Sequence, residues 1–458
     1  NIKRYKIHAD AKSSKELLFD AYKDGLKRLL LPSLKRETLT LLKEKASKES
    51  INLFGKNLSS LLLTPPVMHK VILGIDPGFV SGCKLAVIDE DTKFLDHGVI
   101  YPTKPKEDYK NSAKMVLSLI KKYHVDTIAI GNGTASNETA SFISQLIKEN
   151  DLHVKYAVVS EIGASVYSAS KIAQEEYPQL DVTIKGAISI AARLRDPMAA
   201  LVKIDPKSLG IGQYQHDVNQ THLSKKLQDV TGDLVNKVGV DVKSASFTLL
   251  SYVAGISKTV AKNIIEFREN NTITSKNDLK KVKGMGEKSF EQSVGFLRIK
   301  EGKSILDNTG IHPENYALAK TLQKDYDVAN IKDAQIKELC VKYDCGYETL
   351  KDIIFELGKP GFDIREELEQ ITFQDDIKDI KDLKEGYIVS GIVRNITDFG
   401  AFIDIGLKND ALLHISQISN KKISHPMEVL SVNEQLNHIR VIQVDVEKQR
   451  VGLSLKET

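Results

Sequence analysis

Three sets of residues in this chain have the types and spacing to do chemistry. The first is Asp398-Phe399-Gly400-Ala401-Phe402. Two aromatic rings around a glycine, flanked by the short β runs Tyr387 to Val393 and Ala401 to Ile405, can offer flat faces to unpaired bases. Such stacking tolerates any sequence because every base has a π-face. The second set is acidic. Asp76 ends the apolar run Val71-Ile72-Leu73-Gly74-Ile75, Glu161 follows Val158-Val159-Ser160, and Asp196 closes Arg193-Leu194-Arg195. If they converge, these carboxylates are hard oxygen ligands for Mg²⁺ or Mn²⁺. Two such ions cleave phosphodiesters by activating water and stabilising the leaving oxygen. The third set is Gly255 with Lys258, and Gly284 and Gly286 with Lys288. Glycines let backbone N–H groups turn toward a phosphate at a helix start, and the lysines add charge.

The elements that must position these residues follow from periodicity. Residues 1–65 read as helices, with Leu17-Leu18, Ala21-Tyr22, Leu26 and Leu29-Leu30 at helical spacing. Two further helices, Glu37 to Ala46 and Ile51 to Leu63, stop at Pro65-Pro66. From Val71 the period changes to strands: Val71 to Asp76, Lys84 to Asp89 and Phe94 to Tyr101. Helix (Ser112 to Tyr123), strand (Thr127 to Ile130), helix (Thr139 to Glu149), strand (Tyr156 to Ser160) and a final helix (Ala187 to Val202) follow. Three antiparallel strands and then alternating helices and strands is the order of an RNase H-like α/β fold. From Gly210 the chain is mostly helical, with two weakly repeated units, Leu249 to Phe267 and Leu279 to Leu297. A helical stretch from Pro313 to Leu383 leads into short strands ending in the hairpin Val441 to Leu455, the pattern of a five-stranded OB barrel.

The fold class is therefore multidomain α+β. It comprises a helical segment (1–68), an RNase H-like α/β domain (69–204), a helical linker with tandem helix-hairpin-helix units (205–312), a helical connector (313–384) and a C-terminal OB-fold β-barrel (385–458). A length of 458 residues is too great for one core. With 65 Lys+Arg against 61 Asp+Glu, the net charge of +4 leaves nucleic-acid affinity to local patches. No apolar run reaches the roughly 18 residues of a membrane span, and no signal peptide opens the chain. Cys83, Cys340 and Cys345 are a sparse, odd set that suits a reducing cytoplasm, with no second pair or histidine cluster to complete a metal site. The chain opens on Asn1 rather than Met, as a fragment of a longer protein would.

The segment Gly386 to Leu455, with Phe-Gly-Ala-Phe, His414-Ile415-Ser416 and Leu453-Ser454-Leu455, resembles the S1-type RNA-binding domain. That resemblance implies that Phe399, Phe402, His414, Asp445 and Arg450 line the RNA face. Ala411 stands where the family usually has Gly. The glycine hairpins resemble a tandem helix-hairpin-helix domain, with Ser257 replacing the second Gly of the first unit. Gly74 to Gly78, Ser160 to Ser165 and Arg193 to Pro197 resemble the YqgF branch of Holliday-junction-resolvase-like domains. The order of these parts, with Leu53 to Pro66, Gly131 to Thr139 and Val202 to Val218, resembles the bacterial Tex family of transcription accessory proteins without its N-terminal region. Val80-Ser81 replaces the usual Arg-Thr, and Ala192 replaces a second Arg.

The resemblance implies binding of RNA, and of single- or double-stranded DNA, with little sequence preference. It implies a cytoplasmic monomer that meets transcription machinery, and a YqgF-like domain without nuclease activity that requires no cofactor. The alternative is a metal-dependent nuclease using Asp76, Glu161 and Asp196 with Mg²⁺ or Mn²⁺. A protein-only scaffold stands as a third reading, marked by the absence of salt-sensitive nucleic-acid binding.

Overall fold

The computed structural model describes residues 12–328, 331, 333–367, 380, 383–405, 407, 409–420, 423–430, 434–446 and 448–456. The opening residues and most of the expected connector after 367 lie outside them. Helix α1 (Lys12–Asp24) passes through a π-helical turn (Gly25–Leu30) into α2 (Leu31–Leu62), so the expected separate helices form one rod. Pro32 cannot donate one turn back, and the irregular turn lies just ahead of it. Only the far half of α2 is buried, through Ile51, Phe54, Leu58 and Leu62 at helical spacing.

The α/β domain follows: β1 (Ile72–Asp76), β2 (Cys83–Ile88), β3 (Phe94–Ile100), α3 (Tyr109–Tyr123), β4 (Thr127–Gly131), α4 (Ser136–Glu149) and β5 (Lys155–Val159). Then come α5 (Ala164–Ser168), α6 (Lys171–Glu176), α7 (Val182–Arg195) and α8 (Pro197–Leu201). The sheet order is β3-β2-β1-β4-β5. The β1–β2 and β2–β3 pairs are antiparallel, and β1–β4 and β4–β5 are parallel. Apolar clusters cover both faces, one with α3 and α4 and the other with α7, so β1, β2 and β4 read as nearly continuous apolar runs. The contact between β1 and α7 is close: a Cβ on Gly74 would lie 2.3 Å from the Ala187 carbonyl oxygen.

The last expected helix, Ala187 to Val202, is broken. Asp196 is extended (φ −147°, ψ 95°) because the residue before a proline is driven out of the α region. Its carboxylate then accepts from the Ala199 amide at 3.1 Å and caps α8.

The segment Val202 to Val218 runs against α2, where Asn57 donates to the Ile211 carbonyl at 2.7 Å. A side chain on Gly212 would enter the Phe54 ring, at 2.2 Å. Next come α9 (Gln220–Val238), β6 (Val240–Asp241), α10 (Phe247–Ser251), α11 (Lys258–Asn270), α12 (Glu287–Ser293) and β7 (Leu297–Arg298). The second hairpin unit enters through a 3₁₀ turn, Lys276–Lys281, rather than an α-helix. These elements share one core with α2 and α8. A separate core holds α13 (Tyr316–Asp325), α14 (Asp333–Tyr343) and α15 (Tyr347–Gly358). The fully buried Lys276 ties the 3₁₀ turn to this last part, donating to the Thr309 and Ile311 carbonyls at 2.7 and 3.2 Å.

The final domain is a closed barrel of β8 (Ile388–Thr397), β9 (Gly400–Asp404), β10 (Ala411–His414), β11 (Gln435–Asp445) and β12 (Arg450–Ser454). Its order is β10-β12-β11-β8-β9, an OB-type barrel.

Candidate nucleic-acid interface and carboxylate cleft

Strand alternation decides which barrel side chains face out. In β9, Ala401 and Ile403 are fully buried, which puts Phe402 on the outer face. Register aligns Phe402 with Leu412 of β10, and Leu412 with Gly452 of β12. His414 and Arg450 lie two residues along their strands from this row, on the same face. Asp445 is paired with Arg450 across β11–β12. Phe399, in the β8–β9 turn, stands edge-on to Phe402 with ring centroids 6.1 Å apart and planes at 88°. Its side is half open, at 50% exposure. Gly400 permits the turn: a Cβ there would lie 2.5 Å from the Leu413 carbonyl oxygen.

The exposed His414 accepts the Ser416 amide at Nδ1 (3.3 Å), which leaves the ring proton on Nε2. Asp445 accepts from the Lys448 amide at 2.9 Å. That bond first, and the Lys448 and Arg450 charges after it, hold its carboxyl below the usual range despite some burial. The five barrel residues singled out from sequence thus share one outer surface. Sequence reasoning missed His425, whose ring lies 3.2 Å from Asp398 beside the Phe399 turn. Twenty-seven positions separate that pair, and no local pattern signals it.

The acidic set assembles only in part. Asp76 and Glu161 come together at the carboxyl edge of β1 and β5, each in room left by glycine. A Cβ on Gly186 would lie 2.7 Å from Asp76 Oδ2, and one on Gly133 would lie 1.8 Å from Glu161 Oε1. Asn132 fixes the second acid's backbone, its Oδ1 accepting the Glu161 amide at 3.0 Å. Burial, then the Glu161 carboxylate, pushes Asp76 up to about 6 against the pull of Lys84, its register partner on β2. Arg193 of α7 is buried beside Glu161 and donates to the Ser160 carbonyl at 2.6 Å. Burial lowers its pKa to about 10, against the opposing effect of Glu161.

Asp196 departs from the expectation. It is bound by Arg365 at 2.8 Å, and Arg365 is also held by Asp363 at 2.7 Å. Burial works to raise Asp196, but the guanidinium outweighs it and holds the carboxyl below its ordinary range. The cause is the break at Pro197, which turns this acid away to cap α8. Among the described residues no cluster of three His, Cys, Asp or Glu side chains can hold a metal. Two carboxylates flanked by Lys84 and Arg193 do not fit a two-ion Mg²⁺ or Mn²⁺ centre.

The two glycine hairpins differ. Gly255 (φ +82°) is packed against α12, where a Cβ would meet Gln292 Cβ at 2.7 Å. Ser257 Oγ accepts the Val260 amide at 3.3 Å, so the start of α11 is satisfied from within the chain. In the second hairpin a Cβ on Gly284 (φ +83°) would make only ordinary contacts, with Val260 and Asn263 at 3.6 and 3.7 Å, and nothing lies within 4 Å of a Cβ on Gly286. Lys258 and Lys288 are both exposed.

The fold and these surfaces define a multidomain protein with a YqgF-like α/β domain, helix-hairpin-helix parts and an S1 barrel. Domain models agree: a Tex protein YqgF-like domain matches residues 70–195, a helix-hairpin-helix motif 235–298, an HHH domain 304–365 and an S1 RNA binding domain 382–456. The HHH match falls largely within the stretch expected as a connector. The uncharacterized protein YdcI of Bacillus subtilis is 45% identical over 97% of this chain and 63% of its own length. Protein tex of Bordetella pertussis is 42% identical over 93% of this chain and 55% of its own. The transcriptional accessory protein Tex of Neisseria gonorrhoeae is 44% identical over 93% of this chain and 57% of its own. The chain is similar to these Tex proteins over 93% of its own length. It spans 55–63% of the length of these relatives. Among the described residues no helix is long and apolar enough to cross a membrane.

Proposed function

We propose that this chain is the nucleic-acid-binding portion of a transcription accessory factor, holding single-stranded RNA with little sequence preference on the barrel. The observation that carries the reading is the outer row Phe402–Leu412–Gly452, flanked by Phe399, His414 and Arg450. Phe399 and Phe402 stack bases, His414 Nε2–H donates to a phosphate or base oxygen, and Arg450 neutralises backbone charge. The helical domains form a scaffold that adds duplex contacts through the open second hairpin, Gly284 and Gly286 with Lys288. The factor acts as a cytoplasmic monomer alongside transcription machinery. Removing 386–458 and titrating labelled single-stranded RNA tests the assignment. Most affinity should vanish while the remaining domains stay folded by circular dichroism. Full retention of affinity in the truncation would refute the barrel as the gripping site.

The metal-dependent nuclease reading has one supporting observation, the adjacency of Asp76 and Glu161. Its weakness is the absence of a third acid at that cleft among the described residues. Incubating RNA and branched DNA with Mn²⁺, for the native chain and Asp76→Asn, separates the cases. Cleavage that the substitution abolishes would establish it.

A further inference from the structure

We propose that Cys340 and Cys345 are a reversible redox pair that closes as a disulfide across the C-terminal cap of α14. The cap itself brings them together. Helix α14 ends at Tyr343, and Asp344 is left-handed at φ +49°. The Cys345 amide donates to the Cys340 carbonyl at 3.2 Å. A bond from the sixth residue back to the first, with a left-handed residue between, is the Schellman termination. That geometry sets two side chains against each other, one from the last helical turn and one just past the end. The place normally holds an apolar contact; here both positions are cysteine. Burial, then the neighbouring Cys340, raises the Cys345 thiol.

Access separates this pair from the third cysteine. Cys340 and Cys345 are each partly exposed at the rim of the α13–α15 core, whereas Cys83 is fully buried with its sulfur 3.4 Å from Thr139 Oγ1. Closure would staple the end of α14 to Gly346, the cap residue of α15. Disulfides of reducing compartments are mostly transient and redox-sensing, so a solvent-reachable dithiol on a rigid cap suits that use.

The oxidant is a peroxide. One thiolate attacks the peroxide, whose O–O bond breaks; one oxygen stays on sulfur as a sulfenic acid and the other leaves as water. The second thiolate attacks that sulfur, the S–S bond forms, and the remaining oxygen departs as water. Two thiols and one hydrogen peroxide give one disulfide and two waters, with two electrons passing from sulfur to oxygen. Because the thiolate reacts and the Cys345 thiol is raised, closure should accelerate as pH rises above neutrality.

The test uses the full chain. Native protein is exposed to dilute hydrogen peroxide, quenched, alkylated under denaturing conditions and cut with trypsin without reductant. Lys342 lies between the cysteines, so cleavage after Lys337, Lys342 and Lys351 puts them in separate peptides. A linked peptide pair, Glu338–Lys342 with Tyr343–Lys351, is expected, with Cys340 and Cys345 lost from the alkylated pool together and dithiothreitol restoring both. Cys345→Ser, folded by circular dichroism, should give no linked pair and leave Cys83 labelling unchanged. Independent consumption of the two thiols to sulfinic or sulfonic acids, or a linkage through Cys83 or between chains, would overturn the proposal.

Discussion

Replacing Phe399 and Phe402 together by Ala is the most direct perturbation of the barrel face. Phe399 is half exposed and Phe402 is only partly buried, so truncating them opens little cavity. Ala401, Ile403 and Leu413, all fully buried, keep the barrel core intact beneath them. Each lost platform costs roughly 1–3 kcal/mol of base stacking. Two platforms at the low end total about 2 kcal/mol, which raises Kd roughly thirtyfold. The single changes should not add. Phe402 braces Phe399 in a T-shaped pair with ring centroids 6.1 Å apart, and such an aromatic contact is worth about 0.5–1.5 kcal/mol. Phe402→Ala therefore removes one platform and loosens the other, and the two single losses should sum to more than the double loss. Fluorescence anisotropy with a labelled single-stranded RNA at fixed salt measures all three variants, and thermal melts check folding. A folded double variant with Kd within threefold of the native value would refute the stacking argument.

Four further outcomes are expected. Arg450→Ala should flatten the salt dependence of RNA binding, lowering the slope of log K against log salt by about 0.7 if it contacts one phosphate, as titrations across a salt series measure. Lys288→Glu should weaken duplex-DNA binding severalfold while Lys258→Glu should not, because the first hairpin is internally satisfied; gel shifts decide this. Arg365→Met leaves Asp196 buried without its partner, at a cost of about 3–5 kcal/mol, and adding Asp196→Asn should recover most of the lost melting temperature. The Asp196 carboxyl is held down in the fold, so its stabilisation is present above its ordinary value near 4 and is lost as pH falls through the folded value. Asp76 works oppositely: raised to about 6, it weakens the fold as pH climbs from about 4 through 6. Asp76→Asn should therefore melt higher than the native chain at pH 8 and no higher at pH 4.

Legibility in the sequence tracked the range of the interactions involved. The strand Val71 to Asp76 was readable because a sheet covered on both faces needs an unbroken apolar run. The barrel pattern was readable because its alternation is local. The break at Asp196 leaves no mark on the periodicity, although Pro197 adjoins it, because Met198, Leu201 and Val202 prolong the helical spacing past a backbone restriction of one residue. The 3₁₀ entry to the second hairpin has the same origin: Leu279 and Val282 are apolar at a spacing that suits either helix. The Asp196–Arg365 pair, 169 positions apart, has no local signature. The leucines of α1 and α2 show helical spacing, yet Leu17, Leu29, Leu41 and Leu42 are exposed, so periodicity alone did not say which stripe is buried.

The two surfaces differ in what their charged and polar groups already do. In the cleft, Lys84 answers Asp76 and Arg193 stands beside Glu161, while Asp196 is turned away and belongs to Arg365. A cation arriving there meets one carboxylate that is partly protonated near neutrality and two resident positive charges. On the barrel, the exposed His414 uses Nδ1 for its own backbone and keeps Nε2 for a ligand, and the Phe399 ring is braced against Phe402 yet half exposed. Those groups are held in place without being consumed. Preorganised but unspent groups bind at low cost, so affinity for nucleic acid should follow the barrel and persist when the cleft acids are neutralised.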